Sequence, residues 1–278
     1  MDQELRQKTA AVTPRVLQAE VPCLDNESAR ADRELNRSLW MCHKGLEPFQ
    51  QADFPSYYAS QKLPQRQRVV AMKTSYQYTR LSKDDALLAL VDHQSGLISL
   101  VQDFSPNEFK NNVLAVAACG KYFHLPTILT TSFEQGPNGP LVPELKKMFP
   151  DSPYIARPGN INAWDNEDFV NAIKQTGRKQ IILAGVVTEV CVAFPALSAV
   201  EAGYDVFVVT DASGTFNEVT RHGAWLRMQA AGVQLVNWFG MACELHRDWR
   251  NDIEGLGALF SEYIPNYRNL MTSYFEKK

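Results

Sequence analysis

The 278-residue chain predicts an α/β protein: a doubly wound (Rossmann-like) sheet of six parallel strands with helices on both faces. Three observations carry this. From residue 80 onward, short apolar runs of strand length alternate with longer amphipathic stretches. The rhythm is that of a parallel sheet covered on both faces, where strands read as apolar throughout. Helix stops and an acidic first turn punctuate the intervening stretches.

In chain order, the expected strands are Ala86 to Asp92, Thr127 to Ser132, Tyr154 to Arg157, Gln180 to Ala184, Val206 to Thr210 and Gln234 to Trp238. Between them the apolar spacing predicts helices over Asn107 to Phe123, Leu141 to Phe149, Asp165 to Gly177, Glu189 to Gly203 and Asn217 to Ala231. Further helix follows from Ala242, including Ile253 to Tyr263. Asp165-Asn-Glu-Asp supplies the acidic first turn, and Gly177 and Gly203 are suitable stops. Six strands joined by five crossovers wind right-handedly, which places helices on both faces.

Residues 1–71 differ from the rest. Gln, Arg, Asp and Glu are frequent there, and the apolar islands Trp40-Met-Cys-His and Phe54-Pro-Ser-Tyr-Tyr are isolated. Such a segment buries too little apolar surface to offset its ordering entropy. It is expected to be a mostly disordered or spurious N-terminal extension, and Met72 stands directly before the first regular pattern. The expected functional domain is therefore 72–278.

A net charge of -3 and the lack of any basic cluster interleaved with aromatics exclude a nucleic-acid or anionic-membrane footprint, leaving a small molecule as the default partner. Five cysteines, odd in number and without a C-x-x-C pair, indicate neither a disulfide framework nor a thiolate zinc site. A reducing cytoplasmic setting fits, and no signal peptide or spanning segment is read from the sequence.

In a doubly wound sheet of order 3-2-1-4-5-6, ligands bind beyond the carboxyl ends of strands one and four. Asp92 closes the first strand and Cys191 follows the fourth. Cys191 falls in the expected first helical turn, where unpaired N–H groups and the positive end of the helix dipole favour a thiolate. Asp92, with its pKa raised by burial, can accept a proton. Arg157, at the end of the third strand, supplies a positive charge that can stabilise both but cannot shuttle protons. Taken alone, Cys191 also fits a buried structural thiol, Asp92 a turn former and Arg157 a plain ion-pair partner.

The motifs Leu90-Val-Asp92-His-Gln, Pro126-Thr-Ile-Leu-Thr-Thr-Ser-Phe-Glu, Gly159-Asn-Ile-Asn-Ala-Trp164-Asp and Gly185-Val-Val-Thr-Glu-Val-Cys191-Val resemble the isochorismatase-like cysteine hydrolases. Within them, the chain is most similar to YcaC-type bacterial hydrolases, from about Leu81 to near the C-terminus. The resemblance implies an Asp, Lys, Cys triad carried by Asp92, Arg157 and Cys191, with arginine in the usual lysine position. It implies a cis peptide between Val186 and Val187, aiming the N–H groups of Val187 and Cys191 at an oxyanion. It also implies a homo-oligomer, an octamer. Hydrolysis of an amide-like C–N bond, or a related carbonyl, through an acyl-thioester is the expected reaction. The alternative is a catalytically idle oligomer serving as a scaffold.

Phe133 and Trp164 are expected to line the pocket, with the Gly136-Pro-Asn-Gly-Pro140 loop as a lid. Some nicotinamidase relatives hold a metal through Asp and His. Here His93 and His124 are too isolated to form a ligand set, so no metal and no cofactor are expected. Glu189 reads as a dipole-favourable anion in the helix's first turn.

Overall fold

The computed structural model describes residues 78–277, which lie in the compact unit Lys73–Lys278. The expected extension over residues 1–71 lies outside the described residues. Six strands, β1 (Ala86–Val91), β2 (Thr127–Ser132), β3 (Tyr154–Arg157), β4 (Gln180–Gly185), β5 (Asp205–Val209) and β6 (Gln234–Val236), form one sheet. All neighbours pair in parallel, in the order β3-β2-β1-β4-β5-β6. The winding therefore reverses between β1 and β4, as a doubly wound fold requires.

The helices are α1 (Ser95–Ile98), α2 (Pro106–Tyr122), α3 (Pro143–Met148), α4 (Glu167–Gln175), α5 (Ala193–Glu201), α6 (Glu218–Ala230), α7 (Trp238–His246), α8 (Ile253–Tyr263) and α9 (Pro265–Phe275). Their starts are written in the sequence. Ser105 accepts the Glu108 N–H ahead of Pro106, and Asn166, Asn217, Asn237 and Asp252 each cap the next helix by accepting a backbone N–H. At the other ends, Gly177 and Gly203 adopt φ of +68° and +90°, a conformation in which a side chain would be strained.

Strand side chains alternate between two apolar layers. Leu88, Leu90, Ile182, Phe207 and Val209 pack with Phe109, Val116, Met241 and Phe260 on one face. Leu87, Ala89, Val91, Ile181, Leu183 and Val208 pack with Phe169, Ile173, Ala196 and Met228 on the other. This two-sided burial is why β1 and β4 read as unbroken apolar runs.

Four expectations need correction. The last strand ends at Val236, and Trp238 opens α7, because Asn237 caps a helix there by accepting the Gly240 N–H at 2.8 Å. The segment expected to start an α-helix at Glu189 is a π-helical turn, Thr188–Val192, in which the Val192 N–H reaches back to the Val187 carbonyl at 3.3 Å. The helices α1 and α9 had no counterpart in the periodicity; α1 is one turn, and α9 starts at Pro265 immediately after α8. The Gly136–Pro140 loop is not free to act as a lid. The Ser95 and Gly96 N–H groups donate to the Pro140 and Asn138 carbonyls, and Gln94 Nε2 donates to the Gly139 carbonyl.

Candidate active site

The carboxyl ends of β1, β3 and β4 bring Asp92, Arg157 and Cys191 together. Asp92 follows β1 in a left-handed conformation, φ +58°, and its N–H donates to the Thr130 carbonyl at 2.9 Å. That turn directs its carboxylate inward, where it is fully buried. Arg157 ends β3, which pairs with β2 through Ser132. Its guanidinium is sealed from solvent and donates to Asp92 Oδ1 through Nη2. Nε donates to Thr130 Oγ1 at 3.0 Å, and Nη1 donates to the carbonyls of Asn160 and Ile161. The arginine is thus committed on every edge, a fork geometry a lysine could not reproduce.

Cys191 lies in the π-helical turn after β4, 9% exposed, close enough to Asp92 for the carboxylate charge to act on its thiol. The second carboxylate oxygen, Oδ2, has no well-formed partner and so has capacity for a proton. The Val186–Val187 peptide is cis, and the Val187 backbone lies near enough to the Cys191 sulfur to favour its charged form. Val187, expected from the sequence as an oxyanion donor, thus lies beside Cys191.

The electrostatics differ from a preformed thiolate. Burial pushes the Cys191 thiol above its ordinary value, and the neighbouring Asp92 charge pushes it further, against the weaker pull of the Val187 N–H and Arg157. Desolvation of this kind outweighs a helix-terminus effect that is worth at most about 2 kcal/mol. At rest, then, the proton stays on sulfur. Burial also raises Asp92, opposed by Arg157. A carboxylate raised in this way is a stronger base than a free one.

Phe133 stands at the carboxyl end of β2 with φ +49° and 48% exposure, its N–H bonded to the Arg157 carbonyl at 3.0 Å. Trp164 is placed differently from expectation. It packs edge-on against Phe169 and Tyr204, on α4 and just after α5, and borders a surface depression with Glu167, Val170, Asn171 and Lys174. Its large ring is used to cover the sheet face, and none of the triad residues shares that depression. A larger surface cavity, about 590 Å³, lies at the amino ends of β2 and β3 near His124, Pro126 and Pro153, the opposite end of the sheet from Cys191.

Sequence reasoning missed three supporting residues. Thr130 orients both members of the ion pair, its carbonyl holding Asp92 and its hydroxyl holding Arg157. Gln94 clamps β2, accepting the Ser132 N–H at 2.8 Å and donating to the Ser132 carbonyl at 3.0 Å. Asn160 contributes its carbonyl to Arg157. Polar side chains inside an apolar strand were the available signal for Thr130; a backbone carbonyl leaves none. His93 is buried with Nε2 at 3.1 Å from the Ala212 carbonyl, which can only accept, so Nε2 carries the hydrogen. Among the described residues, no group of three or more His, Cys, Asp or Glu is arranged to hold a metal ion.

The Isochorismatase domain family matches residues 86–238, which span both strands of the switch point and the turn bearing Cys191. The chain belongs to the isochorismatase family. It is 76% identical to the probable hydrolase YcaC of Escherichia coli over 197 residues, 71% of this chain and 95% of that protein. A solved YcaC structure from Escherichia coli, described as an octameric hydrolase of unknown specificity, superposes with a TM-score of 0.72 at 73% identity. It covers 73% of this chain and 100% of that one. YcaC from Pseudomonas aeruginosa, solved with hexane-2,5-diol and covalent acrylamide, gives 0.71 at 71% identity, covering 72% and 99%. The chain is accordingly an isochorismatase-family hydrolase. No described helix is long and apolar enough to cross a membrane.

Proposed function

We propose that this hydrolase uses Cys191 as a nucleophile on the amide-like C–N bond, or a related carbonyl, of a small neutral substrate. The observation that carries the reading is the Cys191 thiol lying beside an Asp92 carboxylate that is ion-paired to Arg157 through Oδ1 and has no hydrogen-bond partner at Oδ2. As sulfur attacks the carbonyl carbon, the thiol proton moves to Asp92. The developing oxyanion accepts the N–H groups of Val187 and Cys191, each worth roughly 3 kcal/mol of barrier. Collapse breaks the C–N bond, and the amine leaves with the proton from Asp92. Water then attacks the thioester with Asp92 again as base, and the C–S bond breaks as the proton returns to sulfur.

Arg157 takes no proton in this scheme; it keeps Asp92 in place and compensates its charge. Because its donors are spent on Asp92, Thr130, Asn160 and Ile161, the guanidinium is not free to grip a substrate carboxylate. The exposed apolar side chains after β2, β3 and β5, Phe133, Ile161 and Phe216, suit an uncharged molecule at the entrance.

Assembly into a homo-octamer is part of the reading, since the Escherichia coli relative is an octameric hydrolase. Val219 and Leu226, 82% and 67% exposed and two turns apart on α6, offer one apolar face for it. The three described cysteines are free, which fits a reducing cytoplasm. The decisive experiment incubates the protein with small amides, nitriles and carbamates and looks for a Cys191 acyl adduct by mass spectrometry. At least one compound should leave an adduct that Cys191→Ala abolishes and Asp92→Asn suppresses by about 100-fold or more. Adducts that persist in both variants would assign the protein to the idle-scaffold class.

A further inference from the structure

The turn that carries Cys191 is held from one side by residues 213–215. The Gly185 N–H donates to Ser213 Oγ at 3.3 Å, the Thr188 N–H donates to the Gly214 carbonyl at 3.0 Å, and Val186 bridges to Gly214. Thr215 completes the set. Fully buried, it donates its hydroxyl to Glu189 Oε2 at 2.6 Å, two residues before the nucleophile. Glu189 is thus more than a charge near a helix start.

Thr215 is itself anchored from behind. Its N–H donates to Asp103 Oδ1 at 2.8 Å, and its carbonyl accepts the Gln102 and Asp103 N–H groups at 2.8 and 3.3 Å. The Asp103 side chain has no solvent exposure. Arg221 from α6 donates to the Asp103 carbonyl at 3.2 Å and lies 3.5 Å from Oδ2, with its guanidinium over the rings of Phe104 and Trp225 at 5.2 and 5.1 Å. Burial raises the Asp103 carboxyl, and the Glu189 charge raises it a little more; the two carboxylates are therefore near enough to repel, with Thr215 joined to both.

We propose that Asp103, Thr215 and Glu189 form a positioning relay, braced by Arg221, that sets the Cys191 turn against Asp92. None of the three is a catalytic residue; each acts through the backbone of the turn. A buried carboxylate that merely filled space would not need to fix the N–H of Thr215, the residue whose hydroxyl holds Glu189 two positions before Cys191 while its neighbours Ser213 and Gly214 hold Gly185 and Thr188. A misplacement of about 1 Å at such a site costs on the order of 100-fold in rate. The inference rests on the cysteine-nucleophile reading.

The test measures the factor by which Asp92→Asn slows iodoacetamide labelling of Cys191, followed by intact mass on the full chain, with threonine, serine or valine at position 215. With threonine the factor should be at least tenfold, since a general base contributes that much or more. Thr215→Ser keeps the hydroxyl and should keep the factor, whereas Thr215→Val should collapse it to within about twofold because a displaced turn no longer uses Asp92. A merely structural role would lower stability in Thr215→Val and leave the factor intact, and that result overturns the relay while sparing the hydrolase. No effect of Asp92→Asn even with threonine defeats the nucleophile reading itself, and the relay with it. Should either variant fail to fold, Glu189→Gln in the otherwise natural chain decides: its labelling-pH profile should move to that of an unassisted thiol, and an unchanged profile overturns the proposal.

Discussion

At the scale of single residues, the site is a buried ion pair with a thiol against it, and each member depends on its partners. Removing the cation while keeping the volume, in Arg157→Met, leaves the Asp92 carboxylate buried and uncompensated. The expected loss is about 3–5 kcal/mol of unfolding free energy, readable from urea denaturation. The neighbouring His93 gives a separate signature. Burial lowers its pKa to about 4 from an ordinary 6.5, opposed weakly by the bond to the Ala212 carbonyl. Since the unfolded chain takes up this proton below pH 6.5 and the folded one only near pH 4, His93 stabilises the fold fully above 6.5. That contribution declines as pH falls through this window, by on the order of 3 kcal/mol. Stability measured at pH 7 and at pH 4.5 should therefore differ more in the natural chain than in His93→Gln; equal slopes would show the ring protonating freely in the fold.

At the scale of elements, the junction of β1 and β4 is the constrained point. Gly185 pairs with Val91, and a Cβ there would sit 2.4 Å from the Val91 carbonyl oxygen. Gly185→Ala must push the two strands apart at the place where Asp92 and the Cys191 turn diverge. A cost of about 1–3 kcal/mol is expected, in the range of overpacked cores, together with slower Cys191 labelling. Thermal denaturation and labelling of the same preparation check both, and an alanine variant of natural stability would mean that the junction relaxes. The elements themselves were largely legible. β1, β2 and β4 are apolar on both faces, and Ser105, Asn166 and Asn217 announce their helices in sequence. The π-helical turn was not legible, because nothing in Thr-Glu-Val-Cys-Val separates an i→i−5 turn from an i→i−4 one, and its first residue is held by a carbonyl distant in the chain, that of Gly214.

At the scale of the whole molecule, one order of strands decides which residues can meet. Light scattering on the intact protein should return about 250 kDa, eight chains of 31.3 kDa, if the assembly of the Escherichia coli relative carries over. A mass of one chain would leave the exposed face of α6 without its proposed role. The sequence by itself determined the doubly wound class and that Asp92, Arg157 and Cys191 stand at the carboxyl ends of their strands, because strand ends and punctuation are local properties that survive reading one residue at a time. Only the tertiary structure decided that Trp164 packs on Phe169 and Tyr204, that Glu189 is tied to Thr215, and that the Cys191 proton stays on sulfur at rest. Those outcomes depend on burial and on neighbours distant in the chain, and desolvation is a property of the packed site that no stretch of sequence carries alone.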